Sequence, residues 1–224
     1  FSGLPNVAVV TPSNWLAEHV KRSFLNTHKL KVINNGIDLS IFKPTGSKKL
    51  VKEMVLGVAN IWDERKGLND FIKLRKIIPE EIEIVLVGLK KSQIANLPNG
   101  ILGLTRTDSV YELVQLYSMA RCFVNPTYED NFPTTNIEAL ACGTPVVTYN
   151  TGGSPESIDS ITGAVVFKGD VKQLSIEVNR FLMMDSEMIS VECRKRAERL
   201  YNQMDRYRDY LEVYESLLLG SQKN

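Results

Sequence analysis

The stretch that most constrains this chain is NPTYEDNFPTTNIEALACGTPVVTYNTGG, Asn125 to Gly153. It is entered from the apolar run Cys122-Phe123-Val124 and contains a second one, Pro145-Val146-Val147. Consecutive apolar positions of this kind suit a strand buried on both faces. Between them Ile137, Leu140 and Ala141 recur at helical spacing, Pro133 stands where a first helical position is expected, and Gly143 supplies the stop. Strand, loop, helix, strand is half of an open α/β sheet. The polar loop with Glu129 and Asp130 then falls at the carboxyl end of a strand, where such sheets bind ligands.

The residue types in that loop and helix point to a nucleotide diphosphate carrying a sugar. Asp130 precedes the helix and Glu138 lies on its second turn, so both carboxylates can face one crevice. A carboxylate can accept from both hydroxyls of a vicinal diol, such as a ribose. The free N-H groups near Thr134 and Thr135, with the positive end of the helix dipole, suit phosphate.

Three linked segments, Asp130-Asn131-Phe132-Pro133, Glu138 through Val147, and Gly152-Gly153-Ser154-Pro155-Glu156, resemble the donor-binding region of family-four GT-B glycosyltransferases. That pattern has two glutamates with seven residues between them, and Asp130 stands here in the first one's place, with Glu129 adjacent. The resemblance implies a Rossmann-like nucleotide-sugar domain, retention of anomeric configuration and no metal. It implies that Glu138 holds the ribose and that Asp130 or Glu129 orients the donor sugar. Asn131, Phe132, Pro133 and Thr134 then complete the donor loop. Cations in the loop after an earlier strand hold the diphosphate: Lys66 matches, Asn60 occupies the position where an Arg is expected, and Arg65 can supply that charge. The resemblance also places Leu104 to Arg106 near the nucleobase.

With 43% apolar and 24% charged residues and a net charge of +1, nothing favours a nucleic-acid partner, and no apolar run is long enough to span a bilayer. Cys122, Cys142 and Cys193 are too few and scattered for a disulfide framework, which suits a reducing, cytoplasmic compartment. His19 and His28 have no metal-ligand spacing, and no Asp-x-Asp occurs. Phe1 and the residues after it do not read as a leader, and the chain reads as a piece of something longer.

Residues 5 to 44 are expected to form a strand (Val7 to Val10), a helix (Asn14 to Leu25, capped by Ser13), and a strand (Lys31 to Ile33). The run Asn35-Gly36-Ile37-Asp38 to Pro44 resembles the family's exit from its N-terminal domain, so residues 1–44 are assigned to a remnant of the acceptor domain. That unit is expected to pack on the following domain, pair with another molecule, or move. Lys48, Lys49 and Lys52 read as a solvated linker. Strands are expected at Met54 to Ala59, Ile82 to Val87, Ile101 to Leu104, Arg121 to Asn125 and Ala164 to Phe167, with helices opening at Lys66-Gly67 and, capped by Asp108, running to Met119. Helices Val171 to Leu182 and Ser186 to Tyr201 close a domain of residues 45–200. Residues 201–224 form a crossing helix and tail, whose stripe Tyr207, Leu211, Tyr214 and Leu218 is expected to pack on the core.

The fold expected is thus α/β, a six-stranded parallel sheet flanked by helices. The function implied is nucleotide-sugar binding within a glycosyltransferase of cell-surface or capsular polysaccharide synthesis, acting on a saccharide or lipid-linked acceptor at or near the inner membrane face. Alone, the chain is expected to bind donor weakly without turnover. The rivals are a non-catalytic nucleotide-sugar sensor or scaffold, and a sugar-nucleotide epimerase.

Overall fold

Apolar runs of four or five residues leave no polar face to solvent, and they assemble into one parallel sheet. In a computed structural model that describes residues 6–46 and 53–221, β3 (Met54–Val58), β4 (Glu83–Val87), β5 (Ile101–Leu104), β6 (Cys122–Asn125), β7 (Val146–Tyr149) and β8 (Gly163–Val166) form this sheet in the order β5-β4-β3-β6-β7-β8. Every pairing is parallel, with Val55 opposite Cys122 at the centre and Phe123 opposite Val146 beyond it. The lysines 48, 49 and 52 lie outside the described residues.

Helices cover both faces, as a parallel sheet requires. α2 (Leu68–Arg75) packs on α6 (Val171–Met183), and α5 (Thr134–Ala141) packs on α4 (Val110–Met119) and α7 (Ser186–Leu200). A one-turn α3 (Lys91–Ile94) lies against β5. Phe71, Leu74, Ile84, Leu86, Phe123, Ile137 and Leu140 are fully buried between these layers.

The strand order fixes where a ligand can sit. Beyond β3 the chain winds to β4 and β5 on one side; beyond β6 it winds to β7 and β8 on the other. The β3/β6 boundary is therefore the topological switch point, and its carboxyl edge is the open crevice of the fold.

Residues 6–46 form a separate unit: among the described residues β1 (Ala8–Thr11) pairs only with β2 (Lys29–Val32), in parallel, beside α1 (Asn14–Lys21). α1 is capped by Ser13, whose Oγ accepts from Leu16 N at 3.2 Å. It ends at Lys21 rather than Leu25, because Ser23 turns the chain through its own hydroxyl, donating to Val20 O and accepting from Leu25 N. The unit is tied to the rest by backbone bonds from Ile37 N to Tyr201 O and from Gln203 N to Ile37 O, at 2.7 and 3.1 Å.

Other boundaries differ from the sequence expectation for local reasons. α4 is capped by Ser109, not Asp108: Ser109 Oγ accepts from Glu112 N, and the Glu112 carboxylate accepts from Asp108 N. Pro133 occupies the capping position of α5, one residue before the first helical one. In α8 (Gln203–Ser221) the stripe of Tyr207, Leu211, Tyr214 and Leu218 is exposed, 57% or more for each, instead of packing on the core. Val213 is the buried side chain of that helix, and its neighbouring positions are drawn to β2 by polar contacts, Glu212 to Lys31 and Ser216 to Lys29.

Candidate functional site

The loops after β3 and β6 meet at the switch point. After β3, Asp63 caps a short 3-10 turn, Glu64–Lys66, by accepting from Lys66 N at 3.1 Å. Gly67 then reverses the chain with φ +74°, and α2 begins at Leu68. Lys66 is consequently not part of the first turn of α2, as Lys66-Gly67 had suggested; the left-handed glycine separates them. A Cβ on Gly67 would lie 2.4 Å from Pro126 O, so only glycine lets these two loops approach.

The approach brings together four of the residues singled out from the sequence. Lys66 Nζ donates to Asp130 Oδ2 at 2.6 Å, with both side chains about one-fifth exposed. Arg65 Nη1 donates to Glu129 O at 2.9 Å, and Arg65 O accepts from Tyr128 N at 2.7 Å. Two cations and two carboxylates thus share one rim, with Glu129 itself exposed. Asn60 is exposed at the end of β3.

Glu138 is held by a different set. It lies in the middle of α5, partly open to solvent, and its Oε2 accepts from the Tyr117 hydroxyl at 2.9 Å. Burial raises its pKa above the ordinary carboxylate value, while hydrogen bonds from Tyr117 and Thr134 pull it back. Among the remaining predicted residues, Asn131 and Thr134 are exposed and Pro133 is buried. The Phe132 ring is committed to the core, 3% exposed, with its centroid 5.8 Å from that of Tyr201, and its carbonyl accepts from Asn35 Nδ2 at 3.0 Å.

The Gly-Gly-x-Pro-Glu turn positions the same loop from below. Gly153 N donates to Asp130 O at 3.0 Å; a Cβ on Gly152, at φ +56°, would lie 1.9 Å from that oxygen. Glu156 reaches the N-terminal unit instead of the crevice: its carboxylate accepts from Asn14 N, Trp15 N and Asn14 Nδ2 at 2.8, 2.8 and 3.0 Å. A carboxylate at a helix N-terminus satisfies free donors and the dipole together. It makes this glutamate a tie between α1 and the turn that holds Asp130.

Sequence reasoning missed two buried polar clusters around the site. Asn136, fully buried on α5, accepts from Asn125 Nδ2 and donates to the hydroxyls of Ser154 and Ser157 at 3.0 and 2.9 Å. Asp70, 1% exposed on α2, accepts from the hydroxyls of Tyr128 and Tyr149 at 2.7 and 2.9 Å. The available signal was a polar residue on an otherwise apolar helix face, the same one that marked Glu138.

No group of three or more His, Cys, Asp or Glu side chains is placed to hold a metal ion among the described residues, and no helix there is long and apolar enough to cross a membrane. Two open concavities lie elsewhere: one of about 650 Å³ at the amino-terminal edge of the sheet, near Arg121 and Gly143, and one of about 520 Å³ beside β8.

Comparison with known proteins bears on the family and the fold. The family model described as Glycosyl transferases group 1 matches residues 52–184, more than half of the chain. The capsular polysaccharide biosynthesis glycosyltransferase CapM of Staphylococcus aureus is 25% identical, over 84% of this chain and 55% of that protein. The chain therefore spans about half the length of this curated relative. Among solved structures, sucrose-phosphate synthase from Thermosynechococcus elongatus superposes with a TM-score of 0.84 at 24% identity, covering 95% of this chain and 59% of that one. Anabaena HepE, solved in complex with UDP and glucose, gives 0.78 at 20% identity, covering 93% and 63%. The parallel six-stranded sheet flanked by helices is that of the GT-B glycosyltransferase fold, and the chain belongs to the glycosyl transferases group 1 family.

Proposed function

We propose that residues 45–200 are the nucleotide-sugar-binding domain of a retaining glycosyltransferase that works without a metal, that residues 1–44 belong to its acceptor domain, and that residues 201–224 cross between them. The observation that carries this reading is the meeting of Lys66 and Asp130 across the β3/β6 switch point, 2.6 Å apart. Lys66, with Arg65 beside it, takes the diphosphate and stabilises negative charge as it develops on the leaving group. Those cations do the work that a metal does in other transferases. Asp130 or Glu129 orients the donor sugar, and Glu138 accepts from the ribose hydroxyls. Retention is supported by the likeness of the Asp130-to-Glu138 motif to family-four enzymes.

CapM supports a role in capsular or other cell-surface polysaccharide synthesis, with a saccharide or lipid-linked acceptor. Three free, buried cysteines support the cytoplasmic side, at the inner membrane face where such acceptors are presented. HepE makes UDP the first nucleotide to try.

Calorimetric titration of the chain with UDP, GDP, ADP and their sugar conjugates tests the reading. One nucleotide should bind saturably, Glu138→Ala should weaken that binding measurably, and Lys66→Ala should cost ~1.5 to 3 kcal/mol, the worth of a charge-assisted contact. Binding that is unchanged in both variants refutes it.

A further inference from the structure

The Tyr117 hydroxyl that meets Glu138 comes from the last turn of α4, and the side chain that carries it has no freedom to swing. The ring is fully buried and packs edge-on against Phe123, centroids 5.5 Å apart. The Tyr117 backbone carbonyl accepts from the Thr144 hydroxyl, which anchors α4 to the turn after α5. A tyrosine buried to this degree must place its O-H on a partner. Here that partner is Glu138 Oε2, at 2.9 Å.

The bond matters because the setting is otherwise hostile to a carboxylate. Burial pushes Glu138 toward its neutral form, and Tyr117 and Thr134 are the donors that oppose this. Cys142, a turn further along α5, offers no positive charge; burial first, then the Glu138 carboxylate, push its thiol up to about 12. Arg194 on α7 is engaged by the carbonyls of Phe42 and Ala141 and by Glu198. A carboxylate has about four acceptor positions, so one tyrosine bond fixes its plane and leaves room for two ribose hydroxyls.

Resting on the reading of Glu138 as the ribose acceptor, we propose that Tyr117 is a positioning residue that aims the Glu138 carboxylate at the 2′- and 3′-hydroxyls, and so sets the preference for ribonucleotides over 2′-deoxyribonucleotides. Such a role differs from simple packing in what it predicts. Loss of the hydroxyl should weaken ligands that present the diol more than those that keep only the 3′-hydroxyl.

The test measures, on wild type, Tyr117→Phe and Glu138→Ala, the Kd ratio between each of UDP, GDP and ADP and its 2′-deoxy counterpart. The ratio is unaffected by a fall in folded fraction, which scales both affinities alike. For the ribonucleotide that binds wild type, Tyr117→Phe should lose affinity about tenfold, the equivalent of one hydrogen bond to a charged group. Its 2′-deoxy counterpart, which keeps only the 3′-hydroxyl, should lose about threefold, half of that free energy. Equal weakening of both ligands, or an unchanged ratio, overturns the proposal. If Glu138→Ala abolishes the ribose preference while Tyr117→Phe keeps it, the proposal fails and the reading of Glu138 stands. A preference retained in Glu138→Ala, or no binding of any of the three to wild type, overturns both.

Discussion

Asp70→Ala should destabilise the chain by more than its position on a surface helix suggests. Oδ2 of Asp70 accepts from the hydroxyls of Tyr128 and Tyr149, at 2.7 and 2.9 Å, and Oδ1 accepts from Lys73 Nζ at 3.1 Å. The Lys73 side chain is 61% exposed, so that pair contributes little. Tyr149 is fully buried, and without Asp70 its hydroxyl has no route to water; an orphaned donor of that kind costs ~1 to 3 kcal/mol. Tyr128 is partly open and can take a water, which limits its loss to ~1 kcal/mol. Asp70 also stands in the first turn of α2, where removing a negative charge costs ~0.3 to 1 kcal/mol. Relief from burying a carboxylate offsets part of this, leaving ~2 to 4 kcal/mol net. Urea unfolding followed by far-UV circular dichroism measures it. The triple variant Asp70→Ala, Tyr128→Phe, Tyr149→Phe should recover at least half of the loss, because removing both partners leaves nothing unsatisfied. A loss below ~1 kcal/mol in the single variant, or no recovery in the triple, would refute the reasoning, since an orphaned buried hydroxyl cannot cost less.

Gly152→Ala should damage stability and, on the proposed function, donor binding together, because its left-handed φ of +56° and the 1.9 Å approach of a Cβ to Asp130 O force the loop that carries Asp130 to move. A cost of ~1 to 3 kcal/mol is expected; thermal melting and nucleotide titration both unchanged would contradict it. Glu138→Gln should stabilise the fold while weakening nucleotide binding. The folded-state pKa of Glu138 is raised above its ordinary value of 4.5 by burial, so the native state holds the proton more tightly and wild-type stability falls as pH rises through the window above 4.5. The advantage of the glutamine variant should therefore grow from acid toward neutral pH and vanish below that window, as urea titrations at several pH values will show; an advantage that grows toward acid reverses the sign of the argument.

The linear sequence was sufficient for whatever depends on near neighbours. Runs of consecutive apolar residues marked all six strands of the main sheet to within a residue or two, because burial on both faces leaves no other composition. Ser13 and Gly143 marked helix ends through a side-chain acceptor and a positive φ of +83°, both local requirements. Helix ends were less legible: the expected cap at Asp108 and end at Leu25 fall instead at Ser109 and Lys21, because neighbouring hydroxyls offer the backbone equivalent bonds. The family motif was legible because its three segments lie close together in sequence, between Asp130 and Glu156.

Tertiary structure decided which of those residues touch. Lys66 and Asp130 are 64 positions apart, and Glu156 caps a helix 142 positions away. Neither pairing follows from periodicity, which records the face a side chain occupies and not the strand that will lie beside it. The exposure of Tyr207, Leu211, Tyr214 and Leu218 shows the same limit, since a stripe along a helix states that a surface is apolar but not what covers it. The adjacency of β3 and β6, separated in sequence by two whole strands, joins the cation loop to the carboxylate loop. It arises because the buried faces of all six strands must be covered at once, a condition on the assembled sheet that no single segment contains.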